Sequence, residues 1–215
     1  MEENKDYVLN GETVTKDGKR RKKRMPRLST QTLTLGALLT AMVVVLQLLG
    51  SFIRFGMFSI SLVLVPIVIG AATCGPLVAS WLGFVFGMTV LLSGDAAAFM
   101  TVHPLGTVLT VLVKGIACGL CAALIYGLTK RFNRYAAVLC SALVCPVVNT
   151  GIFLVGCRLF FWETVAAWGA AAGFPNAAAY AFLGLAGGNF LFEVAFNLVL
   201  SPIIVRLLAI KRKKA

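Results

Sequence analysis

Long apolar runs broken by short polar ones make up most of this chain. The runs fall at about 32 to 50, 60 to 73, 76 to 92, 104 to 128, 135 to 160 and 185 to 209. A bilayer core about 30 Å thick takes roughly 20 apolar residues of helix, so the pattern predicts six membrane-crossing helices. The second run is short, and only Thr73, Cys74, Gly75 and Pro76 part it from the third. A Gly-Pro step ends one helix and starts the next, which predicts a tight hairpin there.

Composition supports this reading. Of 215 residues, 59% are hydrophobic and 13% charged, where a soluble domain carries about 25% charged residues. There is too little polar surface for water. The predicted class is an all-α integral membrane protein, residues 29 to 210 forming a six-helix membrane domain and residues 1 to 28 a disordered basic cytoplasmic tail. The first apolar run outlasts the roughly 7 to 15 residues of a signal peptide, and SFIRFG after it offers no A-x-A site, so it reads as a retained span.

Charge sets the orientation. The formal net charge is +12, and of the 20 basic residues nine precede residue 28, three are Lys130, Arg131 and Arg134, and five lie from Arg206 onward. Basic residues flanking spans stay on the cytoplasmic side. With six spans these three regions share one side, and both termini are cytoplasmic. The run KRRKKR at 19 to 24 reads as an anchor beside anionic lipid, and no nucleic-acid partner is needed to explain it.

Candidate chemistry is sparse. Six cysteines, at 74, 118, 121, 140, 145 and 157, lie in or beside spans. Cys118 and Cys121 form a C-x-x-C, but no second pair or histidine cluster accompanies it, and Gly115, Ala117, Gly119, Ala122 and Ala123 around it suit close helix packing in lipid. No metal or cofactor is expected. The chain has one histidine and lacks H-E-x-x-H, G-x-S-x-G and a phosphate-cradling G-x-x-x-x-G-K-[ST] loop, so the reading is not an enzyme, and any ATP hydrolysis must come from another subunit.

Ionisable residues inside spans mark a path, a pocket or a buried pair. Beyond the first tail the acidic residues are Asp95, Glu163 and Glu193, and the basic ones off the cytoplasmic flanks are Arg54, Lys114 and Arg158. His103, Thr107, Thr110 and Lys114 recur at i, i+4, i+7 and i+11, one polar stripe on the fourth span, and Asn189, Glu193 and Asn197 do the same on the sixth. On the fifth, Asn149 and Arg158 lie on opposite faces. Two readings of the stripes stand. In one, an outward-facing cavity uses Lys114 or Arg158 to hold an anionic or carbonyl group, with Asn149, Asn189, Glu193 and His103 around it. In the other, Lys114 and Glu193 form a structural ion pair. Loops 51 to 59, 93 to 103 and 161 to 184 would roof the cavity, GFPNAAAY at 173 to 180 making a turn in the last.

The stretches TLGALLTAMVVVLQLL ending at residue 49, LVPIVIGAATCGPLVASWLGFVFG at 64 to 87 and HPLGTVLTVLVKGIACGLCAALIYGL at 103 to 128 resemble helices one to four of a known family. It is that of the S components, the substrate-binding subunits of energy-coupling factor (ECF) vitamin transporters. The resemblance implies capture of a water-soluble vitamin or related micronutrient, with delivery through a transmembrane T subunit and two ATPase subunits in the cell membrane. It also implies that Ala37 and Ala41, matching an Ala-x-x-x-Ala face, pack against the T subunit. The second and third helices look most like pantothenate-type members, which makes pantothenate the favoured cargo, with riboflavin or a pyridoxine relative open. Ala79-Ser80 stands where many relatives have glycine, implying a looser helix contact there. The competing classes are a stand-alone six-helix carrier or channel, which would use the same stripes as a through-path, and a membrane enzyme built on His103 and Asp95.

Overall fold

A computed structural model describes the backbone of residues 7–9, 12–14, 20–21, 29–52, 54–55, 58–59 and 62–213, and the side chains of 29–52 and 62–206. Contacts divide the chain into two units, Met1–Leu33 and Thr34–Ala215. In the first, the short strands Tyr7–Leu9, Glu12–Val14 and Arg20–Arg21 pair antiparallel. The disordered tail expected over 1 to 28 otherwise falls outside the described residues. In the second, Arg54–Phe55 and Phe58–Ser59 form a two-stranded pairing, and the other described elements are helices joined by short turns.

Five stretches are long and apolar enough to cross a membrane: α1 (Thr30–Ser51), α3 (Pro76–Ser93), α5 (Pro104–Thr129), α6 (Arg134–Phe160) and the continuous Ala177–Arg206. Their edges lie close to the apolar runs, because the same residues that favour lipid also close every backbone hydrogen bond within the helix. The last stretch is composite. A short α8 (Ala177–Ala179) leads into a π-helical segment, Tyr180–Gly187, and then α9 (Gly188–Lys213).

The second expected span differs. Between α1 and α3 lies α2 (Leu64–Thr73), whose 10 residues rise only about 15 Å, half a hydrocarbon core. Leu64, Val65, Pro66, Ile67, Val68, Gly70 and Ala71 are all buried. A helix apolar on every side is a core helix, so this run's hydropathy reflects burial in protein and not contact with lipid. The hairpin into α3 is tight: Gly75 takes φ +88°, a left-handed conformation, and Pro76 opens the next helix where its missing N–H costs nothing.

The seam between α3 and α5 is built from glycine. A Cβ on Gly83 would strike the Gly115 carbonyl, one on Gly115 the Gly83 carbonyl, and one on Gly119 the Ala79 carbonyl; one on Gly87 would lie 3.0 Å from the Val111 carbonyl. Close backbone approach of this kind holds helices together where water provides no driving force. The looser contact expected at Ala79-Ser80 is not what is found: the small residue is contributed by Gly119 on the facing helix. Cys118, inside this seam, is buried and donates to the Gly115 carbonyl at 3.1 Å, a packing role.

Two apolar clusters result. One joins Leu39, Val43, Ile67, Leu82, Phe86, Cys118 and Val138. The other gathers Phe99, Phe161, Val165, Tyr180 and Leu185, drawn from α4 (Ala97–Met100), the start of α7 (Trp162–Ala171) and the last span. Two of the three expected roofing loops are thus folded pieces, while the side chains of 53–61 lie outside the described residues. In GFPNAAAY, Gly173 at φ +77° ends α7 and the Asn176 side chain accepts the Ala179 N–H at 2.7 Å, capping α8.

Candidate binding site

The two polar stripes converge on one cavity. It encloses about 550 Å3, counting its open mouth, and is lined by Phe86, Phe99, Phe153, Phe161, Thr107, Thr110, Lys114 and Asn189, with Gln47 and Asp95 from elsewhere in the chain. A smaller neighbour of about 300 Å3 shares Lys114, Phe153 and Asn189 and adds Asn149, Thr150, Leu185 and Ala186. Lys114, Phe153 and Asn189 therefore form the wall between two compartments.

Lys114 reaches this wall from the middle of α5. Its ammonium lies 5.6 Å from the ring centroids of both Phe86 and Phe153, a geometry in which two π faces stabilise the charge. Glu193 on α9 is wholly buried. Amides reach it from two helices: Asn189 Nδ2 donates to Oε1 at 2.9 Å and Asn149 Nδ2 to Oε2 at 3.5 Å, while Asn197 Nδ2 donates to the Glu193 backbone carbonyl at 2.9 Å.

Several buried acceptors face the compartments unsatisfied. Thr110 Oγ1, Asn149 Oδ1, Asn189 Oδ1, Asn197 Oδ1 and Gln47 Oε1 have no hydrogen-bond partner among the described residues. Each such atom costs about 1–3 kcal/mol when left dry. Four of them line the two compartments, so what enters must bring hydrogen-bond donors. Close packing positions them: Gly156 of α6 lies against Thr110, where any Cβ would collide with its side chain.

Of the residues singled out from sequence, Lys114, Asn149, Asn189 and Glu193 come together here. Arg158 does not; it is exposed and stacks on Trp162 at 4.8 Å. His103 lies exposed at the start of α5, where Nδ1 accepts the Gly106 N–H at 2.9 Å. It caps the helix, and its ring packs 5.6 Å from Phe160. Asp95, the other half of the enzyme pairing, accepts instead from Gln47 Nε2 at 2.7 Å. Ala37 and Ala41 are exposed along α1.

A model of the ECF transporter substrate-specific component matches residues 31–205. The chain belongs to this family. No curated protein matches it. As an ECF substrate-specific component, it is a multi-pass membrane protein and the subunit that gives a transporter its choice of small molecule. Membership implies a small-molecule substrate and T and ATPase partners in general. Among the described residues no group of three His, Cys, Asp or Glu could hold a metal ion.

Proposed function

We propose that this S component captures a water-soluble vitamin or related micronutrient in the cavity around Lys114, and that pantothenate is its favoured cargo. The observation that carries this reading is the convergence of unsatisfied buried acceptors and one lysine on a cavity walled by four phenylalanines. Donors on the cargo would satisfy the acceptors, and a carboxylate or carbonyl would meet the ammonium. Riboflavin and pyridoxine relatives carry comparable groups.

Both termini face the cytoplasm in this reading, as the three basic regions require. Five full spans alone would put the termini on opposite sides. The stretch between α1 and α3, with the buried α2 in it, therefore makes the second crossing. A T subunit and two ATPases complete the transporter.

The test is thermal stabilisation of the purified protein in detergent across water-soluble vitamins. A ligand that binds the folded state at 100 times its Kd adds about 2.7 kcal/mol of stability, so one clear rise in Tm identifies the cargo. A panel without any response overturns the binding reading and favours a stand-alone carrier. The partner face has its own check. Replacing Ala37 and Ala41 together by Leu should leave ligand stabilisation unchanged while lowering co-purification with the T and ATPase subunits on the order of tenfold, since overpacked helix contacts cost about 1–3 kcal/mol. Unaltered assembly would remove that face from the interface.

A further inference from the structure

One carboxylate is shared between two amides beside the smaller compartment. Asn149 comes from α6, and Asn189 and Glu193 from α9. Asn189 lines both compartments and Asn149 the smaller one, whereas the fully buried Glu193 lines neither. The acid stands behind the amides, off the walls.

A side-chain amide carries a donor and an acceptor of nearly equal size, so its neighbours decide which way it points. Asn189 turns Nδ2 to Glu193 Oε1 at 2.9 Å, and Asn149 turns Nδ2 to Oε2 over a longer 3.5 Å. An ionised carboxylate only accepts. Rotating either amide by half a turn would set a carbonyl oxygen against a carboxylate oxygen, away from water, where such repulsion is screened least. With the N–H groups turned to the acid, each Oδ1 is left over: both are buried, and neither has a hydrogen-bond partner among the described residues. The smaller compartment thereby gains a definite polarity. Phe153, Leu185 and Ala186 give it apolar walls, Lys114 only donates, the Thr150 hydroxyl can do either, and the two amides offer carbonyls. A bare anion would suit the lysine and press on both carbonyls. A group that pairs an N–H or O–H with a carbonyl or carboxylate suits them all.

We infer that Glu193 is a positioning residue that sets the selectivity of this compartment. By holding the Asn149 and Asn189 amides in one orientation, it makes the compartment a receptor for a hydrogen-bond donor on the buried end of the cargo, an amide or imide N–H or a hydroxyl. Analogues without that donor are rejected because the two carbonyls stay unpaired. This rests on the binding reading above and narrows it.

Matched probes test it, with affinities from isothermal titration. Riboflavin is compared with its imide N-methyl derivative, pyridoxine with its O-methyl ethers, and pantothenate with its N-methyl amide and with analogues in which each hydroxyl is replaced by hydrogen. Any small molecule that co-purifies from rich medium is identified by mass spectrometry after denaturation. In the unmodified protein, deleting one particular donor of the vitamin that binds should weaken it roughly tenfold or more. Glu193→Gln brings an N–H of its own, so one asparagine turns its Oδ1 to the new amide and shows Nδ2 to the compartment. The same deletion should then change affinity less than about threefold. A purely structural role for Glu193 would lower Tm and leave the ratio between matched probes unchanged. Should Glu193→Gln fail to fold, Asn149→Leu replaces it: with one acceptor removed, the ratio should again shrink. An unchanged ratio in the folded variant, binding in the unmodified protein that no donor deletion weakens, or a co-purified molecule without any N–H or O–H would overturn the inference while leaving the subunit a binder. No response to any vitamin and no co-purified molecule would instead overturn the binding reading itself.

Discussion

Gly115→Val is expected to cost this protein its fold. The new Cβ meets the Gly83 carbonyl across the α3–α5 seam, and neither atom belongs to a side chain that could rotate away. The helices must part, and the contacts on either side, Gly119 on Ala79 and Gly87 on Val111, loosen with them. Overpacking of a well-fitted core costs about 1–3 kcal/mol even where side chains can adjust. A backbone collision lies at or above the top of that range. At roughly 2–4 °C per kcal/mol for a chain of this size, a Tm loss on the order of 10 °C, or failure to elute as a monodisperse peak, is the expected result. Gly127→Ala is the control, because nothing lies within 4 Å of the Cβ it would add. Equal Tm values for the two variants would show that the seam is looser than these contacts imply.

Lys114→Met carries the second large effect, on binding and not on stability. Methionine keeps the length and apolar stem that pack between Phe86 and Phe153 and deletes only the charge. A hydrogen bond to a charged group contributes about 1.5–3 kcal/mol, so cargo affinity should fall roughly 10- to 150-fold while the Tm of the ligand-free protein changes little. Isothermal titration with the stabilising vitamin measures the first quantity and thermal unfolding the second. If Tm collapses and the residual folded fraction binds normally, Lys114 serves the structure through Glu193, and the cargo is held by other groups.

Much of the architecture is visible in the pattern of apolar runs, because a membrane demands length and hydropathy together. The polar stripes bring Lys114, Asn189 and Glu193 to one place for the same reason: in a span, any polar residue at helical spacing must face protein. That logic breaks down where polarity comes singly. Gln47 is followed at helical spacing only by Ser51, the last residue of α1, and Asp95 sits in a turn, so neither stands out as part of a stripe. The phenylalanines of the cavity were equally illegible, since in lipid an apolar side chain is as well placed outside as inside, and Phe153 on the wall cannot be told by pattern from an exposed Phe182. Hydropathy also overstated α2, because it scores a core helix and a membrane span alike. Arg158 and His103 were drawn in by their charge and polarity, yet each has a local partner, Trp162 for one and the Gly106 amide for the other.

The glycine seam bears on binding in a further way. Lys114 is the immediate neighbour of Gly115, where two backbones meet with no side chain between them. A long, flexible lysine anchored at such a point has a fixed base, and the flanking rings narrow the rotamers of its stem. Much of the conformational entropy that a mobile lysine would lose on meeting an anion, up to about 2 kcal/mol, is then already lost when the chain folds. Preorganisation of this kind favours tight capture of a dilute solute.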